Sequence, residues 1–187
     1  MSRESLHAST VDALVSWSAP DPEQDALRHA YLAFLAATDD ACLRRCEAGH
    51  ITASTIVVDA SREHVLLTLH PRVGAWIQLG GHCEPSDATI ADAALREARE
   101  ESGIADLELS GPIVHLHTHP ITCSLGVPTR HLDIRFRAVT PPTVHGELPA
   151  IMRSDESVDL RWWPVDALPE SARSGDMASL IARGVGA

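Results

Sequence analysis

The hydrophobic pattern changes period near His50. Before it, "DPEQDALRHAYLAFLAA" places Leu27, Tyr31, Phe34 and Leu35 on one stripe of an amphipathic helix. Asp21 is placed to cap that helix, with Pro22 at its first position and Gln24 completing a capping box. The first fifty residues are read as helical, and residues 1–48 as an N-terminal extension packed on a domain of residues 49–187. After His50, "ITASTIVVD" and "HVLLTLH" are β-branched or alternating runs divided by the turn "ASRE", which predicts a strand pair. "AWIQL" predicts a third short strand entering a double glycine, and a helix follows from Thr89 to Ser102, closed by Gly103. "IVHLHTH", "RHLDIRFRAV" and "DLRWWPV" read as further strands, and "MASLIARG" as a short terminal helix. No repeat or low-complexity segment interrupts them. Helices and strands mixed in this way indicate an α/β or α+β class with a largely mixed sheet.

A chain of 187 residues accommodates one domain with a modest extension. No apolar run approaches the roughly 18 residues of a membrane span, and "MSRESLHAST" lacks the basic and apolar regions of a secretion signal, so the expectation is a soluble cytoplasmic protein. That compartment favours reduced thiols at Cys42, Cys46, Cys83 and Cys123. Cys42 and Cys46, one helical turn apart, are expected in the core. The formal charge of -11 argues against nonspecific binding to nucleic acid or acidic membrane, both polyanions, and the N-terminal helices offer no basic element for DNA. An anionic small substrate would need local positive charge from Arg or from a metal. All 15 basic residues are Arg, and Lys and Asn are absent, which suggests a GC-rich bacterial genome rather than a function.

The chemistry concentrates in "GGHCEPSDATIADAALREAREESGI", residues 80–104. At about 100° per residue, Ala94, Ala98, Ile90 and Ala91 form a stripe of mainly small residues that lets the helix lie close to a sheet. Glu101 falls inside that stripe, Glu97 at its edge and Glu100 further out, within an arc of roughly 100°. Glu100 and Glu101 also stand at the negative end of the helix dipole, where cations are favoured. Ionised acids so placed are costly unless something cationic compensates them. Two readings are open: a solvated face with pairs such as Arg96 with Glu100, or carboxylates at i, i+3 and i+4 converging on a hard divalent cation.

"GG" at 80 and 81, Glu84, and "REAREESGI" from Arg96 to Ile104 resemble the Nudix box, whose pattern is G, five residues, E, seven residues, then R-E-U-x-E-E-x-G-U. The second half matches at Arg96, Glu97, Ala98, Glu100, Glu101, Gly103 and Ile104. In the first half Asp87 stands for the glutamate, with a one-residue insertion before Arg96. Leu79 also stands where many relatives have proline. "LRWWPVDALP" resembles the strand and turn that follow the family's substrate loop, so the likeness spans roughly residues 50 to 170.

The resemblance implies an α/β/α sandwich around a mixed sheet, a Mg²⁺- or Mn²⁺-dependent pyrophosphohydrolase, and a nucleoside diphosphate linked to another group X as substrate. It also makes a homodimer a candidate assembly. It makes Glu97, Glu100 and Glu101 metal ligands, with the Gly80 carbonyl as a further candidate, and Arg96 the residue that orients the carboxylates. Metal would neutralise the diphosphate and acidify the attacking water. The general base is then a box glutamate or Glu156, in the loop "RSDESVD"; the alternative for Glu156 is an exposed loop acid.

Histidine is the remaining signal. His115, His117 and His119 alternate on one face of a strand, and His131, Asp133, Arg135 and Arg137 on one face of the next. A hairpin centred near Leu125 sets His119 opposite His131, His117 opposite Asp133 and His115 opposite Arg135. That face is either a transition-metal cluster or a polar side turned to solvent or substrate. His131, Asp133 and Arg135 are therefore candidate substrate contacts, Arg135 through phosphate or else paired with a surface acid. Trp76 either stacks on a base or belongs to the core. Two alternatives stand beside hydrolysis: an isopentenyl-diphosphate-isomerase-like enzyme, whose cysteine context is not found, and a non-catalytic ligand sensor, which would have an eroded box or a DNA-binding domain.

Overall fold

A computed structural model describes residues 3–122, 126, 128–143 and 147–186. The chain runs α1 (Arg3–Ser16), α2 (Pro22–Ala37), β1 (His50–Val58), β2 (His64–His70), β3 (Ala75–Ile77), β4 (Leu79–His82), α3 (Ile90–Ser102), β5 (His115–Thr122), β6 (Pro128–Val139) and β7 (Asp159–Pro164). A 3-10 turn at Glu170–Ala172 then leads into α4 (Gly175–Val185).

Strand β1 is the axis of the fold. It is buried along its whole length, as its run of Ile, Val and Thr favours. It pairs in parallel with β6 and antiparallel with both β2 and β4. The seven-stranded sheet has the order β3-β2-β1-β6-β5, with β4 beside β1 and β7 beside β2. Ile51 and Ala53 face a core built with α1, α2 and α3, including Leu6, Leu14, Tyr31 and Ala94. Ile56 and Val58 face the opposite side, where Met177, Leu180 and Ile181 of α4 cover them. Helices thus lie on both sides of a mixed sheet, the expected α/β/α sandwich.

Several local expectations change. "AWIQL" is two strands: β3 pairs with β2 up to Ile77, Gln78 intervenes, and β4 pairs with β1 from Leu79 onward. The break frees the Gln78 amide to donate to Asp133 at 3.1 Å, so the strand changes neighbour where a polar side chain is needed inside. Asp21 caps α2 by accepting from the Gln24 N–H at 2.8 Å, but Gln24 does not complete the box. Its Nε2 donates to the Leu116 carbonyl at 3.1 Å and its Oε1 accepts from the Leu116 N–H at 2.6 Å, which ties α2 to β5. Residues 38–49 form turns instead of continuing the helix. Cys42 and Cys46 are nevertheless buried, and with Cys83 they are free thiols. Cys123 and the loop centre at Leu125 lie outside the described residues.

Candidate active site

Helix α3 is set by its ends. The Thr89 side chain caps it by accepting from the Asp92 N–H at 3.0 Å, and Gly103 closes it with φ +73°, a conformation natural to glycine. A Cβ at Gly103 would also meet the Met152 Cβ at 2.7 Å. Between these ends the carboxylates follow the wheel: Glu101 is 7% exposed, while the side chains of Glu97 and Glu100 are 12% and 60% exposed.

Glu101 reaches β4, where its Oε2 accepts from the Gly80 N–H at 2.8 Å. Glu97 lies against Gly81 so closely that a Cβ there would come within 2.8 Å of its carboxylate. Burial lifts Glu97 to a pKa of about 7 and Glu101 to about 8, with the charge of Glu156 adding to both. Glu156 is exposed, yet it acts on this pair from the loop before β7.

Arg96 is the cation that organises the cluster. It donates to both oxygens of the buried Asp87, Nε to Oδ1 at 2.9 Å and Nη2 to Oδ2 at 3.0 Å. Its Nη1 donates to Glu97 at 3.0 Å and Glu100 at 3.2 Å, and its Nη2 to the His82 carbonyl at 3.0 Å. Asp87 and Glu97 raise its own pKa further. Asp87 therefore takes a definite place despite the extra residue before Arg96: it fixes the guanidinium from behind.

An oxygen-only donor set of Glu97, Glu100 and Glu101 fits a hard divalent cation. The bare Cα of Gly81 leaves room for Glu97 at the strand. The spacing alone does not bring the three carboxylates to one point, however. Among the described residues the group whose ligand atoms all lie within 4.8 Å of one another is His50, His82 and His131, while Glu100 accepts from Arg96 at 3.2 Å.

Across the sheet face that carries His50, Thr52 and Ser54, the β5–β6 register is the expected one, with His115 opposite Arg135, His117 opposite Asp133 and His119 opposite His131. Its side chains divide between separate partners. Asp133 and Arg135 are each 3% exposed and joined at 2.7 Å. Asp133 also accepts from Thr52, Ser54 and Gln78, and Arg135 reaches Asp176 of α4 at 2.9 Å. Arg135 is thus paired with acids, Asp133 buried rather than at the surface as expected and Asp176 partly exposed, and neither Asp133 nor Arg135 offers a free charge to phosphate. His117 approaches Asp176 at 3.7 Å, and His119 packs against His131 with ring centroids 5.2 Å apart. Arg137 donates to the Gly186 carbonyl at 2.8 Å. Half-buried Trp76 meets Trp163 edge-on at 5.1 Å and carries the Arg161 guanidinium over its ring, so it sits with the α4-side core.

A family model described as NUDIX domain matches residues 49–183. The chain belongs to the Nudix family. No curated protein matches it in sequence. Among solved structures, the E. coli dihydroneopterin triphosphate pyrophosphohydrolase is similar with a TM-score of 0.55 at 20% identity, over 72% of this chain and 94% of that one. The MutT protein of Methanosarcina mazei Go1 gives 0.53 at 18% identity, over 74% and 96%. A C. elegans Ap4A hydrolase gives 0.50 at 20%, over 71% and 93%. At these identities the likeness establishes the fold alone.

Proposed function

We propose that this Nudix protein is a pyrophosphohydrolase that cleaves the diphosphate of a nucleoside diphosphate bearing a further group X. Glu97, Glu100 and Glu101 would hold Mg²⁺ or Mn²⁺, with the Gly80 carbonyl as a further donor. The observation that carries this reading is the burial of Glu97 and Glu101 next to Glu100 at one end of α3. Two buried carboxylates beside a third, on a helix end that disfavours them, have a use if a cation completes them.

When bound, such a cation supplies charge neutralisation at the diphosphate and acidification of a water. The protein's own residues set the geometry. The Gly80 N–H holds Glu101, Arg96 orients Glu97 and Glu100, and Asp87 holds Arg96. Glu156, whose charge acts on the pair from an exposed loop, would accept the proton of the attacking water. His131, a half-buried side chain, would be a substrate contact. The names of the similar E. coli and C. elegans proteins specify polyphosphate substrates, which supports the reaction class.

A panel of nucleotide sugars, dinucleoside polyphosphates, oxidised nucleotides and capped RNA ends, assayed with Mg²⁺ and with EDTA, tests this reading. Metal-dependent hydrolysis of at least one is expected. Hydrolysis at full rate in EDTA, or no hydrolysis of any, overturns it.

A further inference from the structure

Three strands bring three histidines together at one end of the sheet. His50 opens β1, His131 is its parallel register partner on β6, and His82 closes β4 on the other side of β1. Their ring centroids form a nearly equilateral triangle, 5.1 Å from His50 to His82, 4.9 Å from His50 to His131 and 5.0 Å from His82 to His131. One nitrogen from each lies within 4.8 Å of the other two.

The hydrogen bonds say what these nitrogens offer. His50 is 1% exposed, and its Nδ1 sits 3.2 Å from the Cys46 carbonyl. A carbonyl only accepts, so Nδ1 carries the hydrogen and Nε2 presents a lone pair. That Nε2 is buried and has no hydrogen-bond partner, and the same is true of His131 Nε2. Buried polar atoms left without a partner are costly. Fixing one ring nitrogen on a carbonyl is also the arrangement that orients metal-ligating imidazoles. A phosphate, which would need N–H donors here, matches this tautomer poorly.

We propose that His50, His82 and His131 form a second metal site, for a transition-metal dication of the Zn²⁺ class, distinct from the glutamate site of α3. The donors differ in kind: imidazole nitrogens favour Zn²⁺, Co²⁺ or Ni²⁺ over the Mg²⁺ suited to carboxylates. With metal–nitrogen bonds of about 2.0–2.1 Å, tetrahedral ligand atoms stand roughly 3.4 Å apart, so modest ring rotation closes the observed triangle. Three protein ligands leave the fourth position for water or a substrate oxygen. Arg44 is the opposing influence, for its charge reaches all three rings. It is exposed and able to turn toward solvent. The two sites share one link, since Arg96 holds the His82 carbonyl as well as Glu97 and Glu100.

The test is Zn²⁺ binding by calorimetry, and Co²⁺ binding by visible absorption, on the full chain in a large excess of Mg²⁺. One Zn²⁺ per chain is expected, and a Co²⁺ spectrum of tetrahedral intensity. His82→Gln and His131→Gln, both at half-buried positions, should each weaken Zn²⁺ binding about a hundredfold or more while circular dichroism stays unchanged. The Glu97→Gln, Glu100→Gln, Glu101→Gln triple variant should keep it. The proposal is overturned if wild type takes up no Zn²⁺ at micromolar concentration with Mg²⁺ present. Binding that survives both histidine variants, or that disappears in the glutamate variant, overturns it equally. None of these readouts depends on hydrolysis, so failure of the proposed activity would leave the result intact.

Discussion

Asp87 grips Arg96 through two parallel hydrogen bonds, 2.9 Å and 3.0 Å long, and in this way an acid from the loop governs carboxylates on the helix. The bidentate geometry fixes the guanidinium plane, so that its remaining nitrogens reach Glu97 and Glu100. Asp87→Asn keeps the shape but removes the charge and one acceptor. We expect a loss of about 1.5–3 kcal/mol in stability, the usual range for a hydrogen bond to a charged group. Activity should fall by more than the stability loss explains. Denaturant melts with steady-state kinetics check this, and unchanged turnover would mean that Arg96 needs no support from behind.

Glu100→Gln and Glu101→Gln should each lower turnover by on the order of a hundredfold or more with the fold intact, because each removes a charge from the proposed metal site without changing volume. Turnover rates and circular dichroism of the two variants decide it. Near wild-type rates would return α3 to a solvated charged face.

With Glu97, Glu100 and Glu101 all changed to Gln, the metal-free protein should melt at or above the wild-type temperature, by about 1 kcal/mol or more, since repulsion among the acids and with the dipole is gone. Mg²⁺ should raise the melting temperature of wild type alone. Melts in EDTA and in Mg²⁺ test both statements. A triple variant that melts clearly below metal-free wild type would show that Arg96 and Gly80 are the intended partners of these acids.

The pH dependence follows from the same pair. Glu97 and Glu101 have folded pKa values of about 7 and 8 against an ordinary 4.5, so the folded state holds their protons more tightly than the unfolded chain. Their contribution is fully present below 4.5 and is lost as pH rises through 7 and 8. The histidines act in the acid range with the opposite sense. Burial lowers His82 to about 3 and His131 to about 4, so the stability tied to their neutral forms is lost as pH falls below 6.5. Metal-free wild type should therefore lose melting temperature between about pH 4.5 and 8 relative to the triple Gln variant, and Mg²⁺ protection should grow as pH rises through 7 and 8. Parallel melting curves for the two proteins across those pH values would contradict the lifted pair.

Helix α3 was legible because its information is local. Thr89 and Gly103 mark its ends, and the angular order of Glu101, Glu97 and Glu100 reproduces their order of burial. The β5–β6 register was equally open to reading, since alternation and a short loop leave little choice. The histidine triangle was not. It depends on the parallel pairing of β1 with β6 across a long crossover, and on β4 folding back along β1, neither of which leaves a periodic trace near His50 or His82. Gln24 and Gln78 misled for a related reason: each looks like a local residue, a cap or a strand position, but is used by a distant partner. In Asp133 and Arg135, alternation revealed the shared face and could not reveal that α4 covers it with Asp176.

The amide of Gln24, bonded to both the N–H and the carbonyl of Leu116, behaves as a one-residue stand-in for an adjoining strand. Strand β5 ends the sheet order, and sheet margins invite other chains to pair with them. Here the helix extension occupies that invitation at Leu116 with its own side chain. A second copy adding its strand to β5 at Leu116 would first have to dislodge α2 there, so self-association that leaves the fold undisturbed must spare this part of the edge.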